Sequence, residues 1–236
     1  MAALDVQALV FDVFGTVVDW RSSITDEGQA FGDRLGVSAD WASFADAWRG
    51  RYQPSMEAVR SAKRAWAKLD DLHRESLVEL LDEFSIHGIG ETDIDHFNRA
   101  WHRLRPWPDS VPGLTRLRTR FPLATCSNGN VALLMNMARN AGLPWDAILG
   151  AEPARAYKPL PEVYLRTADF LGFEPQQVML VAAHNDDLMS AAAQGLRTAF
   201  IARPHEYGPN QSIDLRAEHE FDYVASSMED LADQLL

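Results

Sequence analysis

The sequence predicts an α/β protein: a parallel sheet with helices on both faces and a helical lobe inserted after the first strand. Three observations predict it. The run Val6-Gln-Ala-Leu-Val-Phe11 has the length and composition of a buried strand. From about residue 20 to 105 strand signals vanish, and aromatic and aliphatic residues recur at spacings of three and four. Beyond Pro106 short apolar runs alternate with helical stretches, the rhythm of parallel strands joined by crossover helices.

Taken in order, the first strand ends on Asp12 and turns at Gly15. A charge is seldom kept at the end of a buried strand for packing, and open parallel sheets bind ligands outside the carboxyl ends of their strands. The plainer reading of Asp12 is a turn cap. The lobe that follows carries Trp41, Phe44, Ala45 and Trp48, and later Leu77, Leu80, Leu81 and Phe84, at helical spacing. Gly36, Pro54 and the Gly88-Ile-Gly90 turn are expected to divide it into four or five helices, with Thr92-Asp-Ile-Asp95 opening the last. Trp41, Trp48, Trp66, Trp101 and Trp107 fall in or beside the lobe and are expected mostly in its core, one or two walling a pocket that faces Asp12.

The turn formers of Pro106-Trp-Pro-Asp-Ser-Val-Pro-Gly113 mark a second hinge, which assigns residues 1–19 and 107–236 to the core and 20–106 to the lobe. After a helix from Leu114, strands are expected over 122–127, 148–149, 178–182 and 198–202, with a short one near Tyr223-Val224. Helices are expected through Met137, over 161–171 and 188–194, and from Met228. There is no internal repeat and no low-complexity stretch.

Lys and Arg number 22 against 34 Asp and Glu, a net charge of −12, and no basic run that would track a phosphate backbone is present. No nucleic-acid partner is therefore expected. No apolar run approaches the roughly 18 residues that span a bilayer, and no basic start precedes an apolar stretch, so a cytoplasmic protein without membrane contact is expected. The lone cysteine, Cys126, rules out an internal disulfide and a multi-thiolate metal site, and its place between Leu-Ala-Thr and Ser-Asn marks it as a strand-end packing residue.

Three more polar clusters follow predicted strands: Ser127-Asn128-Gly129, Lys158-Pro159 and His184-Asn-Asp-Asp187. Right-handed crossovers bring them, with Asp12, to one edge of the sheet, where a site is expected. Phe11-Asp-Val-Phe-Gly-Thr16, Ser127-Asn128, Lys158-Pro159 and Asp187 resemble the four ordered motifs of the haloacid dehalogenase superfamily over nearly the whole chain. Within it the sequence is most similar to the L-specific, type II 2-haloacid dehalogenases. The resemblance implies a Rossmann-like core with a helical cap after the first strand, and dimers are common in that group. A homodimer joined through the lobe's aromatics is therefore kept open.

Most members of the superfamily are magnesium phosphatases. They carry a general-acid Asp two positions after the nucleophile, where this chain has Phe14, and a metal-ligating Asp where it has Ala183. A halide leaves without a proton, so a dehalogenase tolerates both losses, and no metal or other cofactor is expected. The resemblance implies that Asp12 attacks the halogen-bearing carbon of a short 2-haloalkanoic acid, forming an ester that water cleaves. Lys158, Ser127 and the N–H groups of a helix expected to start at Asn128 would offset the two negative charges, with Thr16 as a further donor. Asp187 would hold Lys158 or orient water, and Tyr164 matches an active-site tyrosine of the family. Arg49, of Trp48-Arg49, would receive the halide; its plainer reading groups it with Arg51 and Arg60 on a solvated helix face. Phe14 joins the residues expected to contact substrate.

The fourth motif departs from the family's Ser-Ser-Asn-x-Trp-Asp, reading Ala182-Ala183-His184-Asn185-Asp186-Asp187. A water-positioning hydroxyl is lost at Ala182. His184 is expected to donate to the departing halide and to narrow its pocket in favour of small halogens, including the fluoride of fluoroacetate. The remaining histidines, His73, His87, His96, His102, His205 and His219, read as surface residues. Two other functions stay in view: a magnesium-dependent phosphatase on the same fold, and a catalytically idle binding protein.

Overall fold

The computed structural model describes residues 5–236, so the first four residues assigned to the core lie outside it. The chain opens with β1 (Ala8–Phe11) and a two-residue strand β2 (Val18–Asp19). Five helices follow: α1 (Trp20–Leu35), α2 (Trp41–Gly50), α3 (Tyr52–Arg60), α4 (Leu69–Glu83) and α5 (Glu91–Asn98). A 3₁₀ turn (Arg99–Arg103) leads to β3 (Arg105–Pro106), which pairs antiparallel with β2 and makes a two-stranded neck under the helices. Then come α6 (Ser110–Leu117), β4 (Leu123–Thr125), α7 (Val131–Ala141), α8 (Ala151–Ala154) and α9 (Pro161–Leu171). The chain closes with β5 (Val178–Ala182), α10 (Asn185–Ala192), β6 (Arg197–Ile201), β7 (Tyr223–Ala225) and α11 (Met228–Leu235).

Five strands form one parallel sheet in the order β4-β1-β5-β6-β7. Both faces are buried, which is why the strands read as continuous apolar runs. Leu9, Phe11, Met179 and Val181 face α6, α7 and α11, while Ala8, Val10, Val178 and Leu180 face α9 and α10. The register sets Phe11 beside Val181 and Thr125, so β1, β4 and β5 end together and the residues after them converge. Among the described residues no helix is long and apolar enough to cross a membrane.

Asp19 caps α1 by accepting from the Ser22 N–H at 3.0 Å, and Gly36, at φ 69°, ends it in the left-handed conformation. Trp41, Phe44, Trp48, Phe97 and Trp101 fill the lobe's interior. These rings are therefore not presented to a second copy, against the expectation of an aromatic dimer surface.

Three element readings are corrected. Pro54 does not divide the lobe: it sits in the first turn of α3, where N–H groups have no intrahelical acceptor and proline is tolerated. Pro112 does the same in α6, which begins at Ser110 rather than 114. The strand expected at 148–149 is replaced by isolated bridges from Ala147 to Ala124 and from Gly150 to Ser127. In addition α10 starts at Asn185, three residues early, with Asp186 and Asp187 in the first turn where a helix favours negative charge.

Candidate active site

β1 delivers Asp12 to the carboxyl edge of the sheet, where the side chain is almost wholly buried. Its Oδ1 accepts from Lys158 Nζ at 3.0 Å. Its Oδ2 accepts from the Thr16 hydroxyl at 2.8 Å and lies 3.2 Å from His184 Nδ1. The turn that brings Thr16 back to Asp12 runs through Gly15 at φ 89°, a conformation that favours glycine. The Thr16 hydroxyl accepts from the Ala183 N–H at 2.9 Å, so its own proton is directed at Asp12.

Lys158 is shared. Its Nζ also donates to Asp187 Oδ2 at 2.5 Å, while the Tyr164 hydroxyl, on α9, donates to Asp187 Oδ1 at 2.7 Å. Asn128 Oδ1 accepts from the Lys158 N–H at 2.8 Å and fixes that backbone. Behind His184 stands Glu206, fully buried, with its two oxygens 2.9 and 3.1 Å from His184 Nε2. Trp20 Nε1 donates to Glu206 Oε1 at 3.0 Å.

Burial would raise the pKa of the Asp12 carboxyl, but Lys158 and His184 outweigh it and hold the group well below the usual carboxylate range. Lys158 is pushed the other way: desolvation opposes its charge, and Asp12 and Asp187 more than restore it. His184 likewise lies well above its ordinary value, burial being overcome by the charges of Glu206 and Asp12. Cys126 is pushed up to about 12 by burial and remains a neutral packing thiol.

These groups open on a cavity of about 700 Å³ between the sheet edge and the lobe. Arg49 reaches into it from α2, its guanidinium stacked 4.2 Å over the Tyr52 ring and 5.4 Å from that of Trp20. Arg49 Nη1 is buried without a hydrogen-bond partner. A guanidinium N–H left open there suits an anion. Arg60, on α3, donates to the Lys158 carbonyl at 2.8 Å and ties the lobe to the core.

Of the residues expected from sequence, Asp12, Lys158, Asp187, Asn128, Tyr164, Arg49 and His184 all face the cavity. Phe14, Thr16 and Ser127 stand behind its wall. Phe14 packs edge-on against Tyr52 and Trp101, and the Ser127 Oγ accepts from the Gly129 N–H at 3.2 Å. The helix expected at Asn128 begins at Val131, and the Val131 N–H donates to Glu152 at 2.7 Å, so it offers the site nothing. Both ring nitrogens of His184 have carboxylate partners, which leaves no free N–H for a halide. Arg51 is the arginine on the outer face, paired with Glu79 and Glu83. Nor are all remaining histidines at the surface: His73 and His102 are buried, His73 stacked on Trp101 at 4.4 Å and His102 bound to Asp70 at 2.9 Å.

Sequence reading missed Glu206, Tyr52, Trp20 and Arg60. Glu206 had a signal: Arg203-Pro-His-Glu206 is a fifth polar cluster following a predicted strand, at the same sheet edge as the others.

A Mg²⁺ ion of the kind used by the resembled phosphatases does not fit this donor set. Both Asp12 oxygens are engaged, two cations stand within 3.2 Å of them, and Phe14 and Ala183 replace the further carboxylates. Among the described residues no three His, Cys, Asp or Glu side chains gather as a metal set.

Residues 6–195 match the family model of haloacid dehalogenase-like hydrolases. The structure of a defluorinating L-2-haloacid dehalogenase is 50% identical, with a TM-score of 0.96 over 98% of this chain and 95% of that one. A second L-2-haloacid dehalogenase structure is 49% identical, with a TM-score of 0.95 over 98% of both chains. The (S)-2-haloacid dehalogenase of Xanthobacter autotrophicus is 28% identical over 84% of this chain and 76% of its own.

Proposed function

This chain belongs to the haloacid dehalogenase-like hydrolases, and from that premise we propose that it is a hydrolytic dehalogenase of short 2-haloalkanoic acids, of the (S)-2-haloacid dehalogenase type. The observation that carries the reading is Asp12 itself, a desolvated carboxylate held by Lys158 and His184. Cations at those positions suit attack on an anionic haloacid. The likeness to (S)- and L-2-haloacid dehalogenases supports the substrate class, and the likeness to a defluorinating one supports fluoroacetate within it.

In the first step an Asp12 oxygen displaces the halide from C2 in line and becomes an ester. Lys158 offsets the charge of the approaching substrate carboxylate, Thr16 and Asn128 hold the reacting groups in place, and the open N–H of Arg49 receives the halide. Tyr164 and Asp187 keep Lys158 aimed at Asp12. Water then opens the ester at the Asp12 carboxyl carbon and frees the 2-hydroxy acid. Residues 20–106 act as the cap that excludes bulk water from the cleft.

The test is halide release from chloroacetate, bromoacetate and fluoroacetate with a chelator present, by the wild type and by Asp12→Asn. Wild-type release that persists in chelator and falls more than about 10³-fold in Asp12→Asn is expected. One turnover in heavy-oxygen water, with enzyme in excess, is expected to label Asp12 and leave the hydroxy acid unlabelled. Intact haloacids, or phosphate-ester turnover that the chelator abolishes, would overturn the reading.

A further inference from the structure

We propose that Glu206 and His184 form the proton-transfer pair for the second half of this reaction, His184 taking a proton from the water that opens the Asp12 ester and Glu206 acting as the positioning residue behind it. The inference rests on the dehalogenase reading and names how its hydrolytic step is served.

The geometry points one way. His184 Nε2 lies against both Glu206 oxygens, at 2.9 and 3.1 Å, which turns Nδ1 toward Asp12 Oδ2 at 3.2 Å. Glu206 is itself pinned by Trp20 Nε1 and by the turn after Asp12: a Cβ at Gly15 would stand 2.0 Å from Glu206 Oε1. A fully buried carboxylate is costly to keep, and the displacement of halide has no need of it. Among the described residues, the carboxylate that shares Lys158 with Asp12 is not free to act as the base. Both Asp187 oxygens are taken, by Lys158 and Tyr164, and Ala182 has no hydroxyl. Asp12 and Glu206 contact the ring and Tyr207 lies near it, while Lys158, Arg49, Asp186, Asp187 and Asp214 share the cavity it faces.

In the free enzyme the ring carries two protons and donates one N–H to each carboxylate. Alkylation forms the bond from Asp12 Oδ to C2 and breaks the carbon–halogen bond, the halide leaving with the electron pair. Asp12 is then a neutral ester, and one of the two charges that hold His184 protonated has gone. The Nδ1 proton passes to solvent, while Glu206 retains the one on Nε2 and fixes the tautomer. Water adds to the Asp12 carboxyl carbon as Nδ1 accepts its proton, with Lys158 and Thr16 as donors to the oxyanion. Collapse breaks the ester C–O bond, and Nδ1 returns the proton to the departing alkoxide. The Asp12 carboxyl then gives its remaining proton to Nδ1, restoring the starting state. One water is consumed, and one halide, one hydroxy acid and one proton are released.

The experiment follows chloroacetate through rapid quench and intact-mass analysis in the wild type, Glu206→Gln, Glu206→Asp and His184→Ala. In Glu206→Gln first-turnover halide is expected near the wild-type rate, steady turnover about 10²-fold lower, and carboxymethylated Asp12 accumulating. Its acid limb of turnover is expected at lower pH, because the base has lost a negative neighbour, and Glu206→Asp is expected to regain part of the rate. If the buried amide prevents folding, His184→Ala is expected to accumulate the carboxymethyl ester at Asp12 whatever its first-turnover rate, with added imidazole speeding loss of that ester. Ester breakdown at the wild-type rate in the folded variants, or equal loss of first-turnover halide and steady turnover in Glu206→Gln, overturns the pair. Absence of halide release by the wild type overturns the dehalogenase reading instead.

Discussion

Gly15 shows how much a single position decides here. Its φ of 89° places it where a side chain is strained, and a Cβ would collide with the Glu206 carboxylate. Gly15→Ala is expected to cost about 2 kcal/mol of stability in denaturant unfolding and to lower turnover, since either Glu206 or Thr16 must move. Arg49 is a second such position. Arg49→Lys keeps the charge but loses the planar stack over Tyr52 and the open N–H, so kcat/KM for chloroacetate is expected to fall by about 10²-fold. A variant within twofold of the wild type would remove Arg49 from the halide's path. Asp12 was legible in sequence because it follows directly on a strand, and Lys158 because it stands just before a helix. Glu206 left only the trace of a polar cluster after a strand, because its partners Trp20 and His184 lie 186 and 22 residues away and only the folded chain brings them together.

At the scale of elements, strands were legible because both faces of the sheet are buried and the runs are apolar throughout. Helix starts were not, and the reason is common to Pro54 and Pro112: a proline reads as a break, yet a first turn has no hydrogen bond for it to remove. Contacts between lobe and core were also hidden, being made by polar residues that elsewhere read as solvated. Asn130 is the clearest. Its Oδ1 accepts from the Asp70 N–H at 3.2 Å and its Nδ2 donates to Asp70 Oδ2 at 2.8 Å, joining the start of α4 to the start of α7. Asn130→Ala is expected to destabilise the fold by about 1–2 kcal/mol, read as a lower urea midpoint at unchanged slope. A changed slope would mean that lobe and core have begun to unfold separately.

For the whole molecule His184 and His73 pull stability in opposite directions with pH. His184 is raised in the fold, so its contribution is complete below the ordinary value near 6.5 and is lost only as pH climbs through the raised one. It adds no slope in mild acid. His73 is the reverse: burial lowers it from 6.5 to about 3, both ring nitrogens lack partners, and the ring lies flat against Trp101. Below pH 6.5 the unfolded chain takes up a proton that the folded chain refuses, so stability falls with pH from 6.5 toward 3. The depressed carboxyls join this loss only as pH nears their ordinary values, 4.5 for Glu75 and 3.8 for Asp12 and Asp70. Between pH 6.5 and 5 the His73 contribution therefore stands apart, and it approaches about 1.4 kcal/mol per pH unit. His73→Phe keeps a flat ring against Trp101 and removes the titration. Urea unfolding at pH 6.5, 5 and 4 is expected to show the wild type losing roughly 3 kcal/mol over that range and the variant keeping most of it. An equal fall in both proteins would place the acid sensitivity in the carboxylates instead.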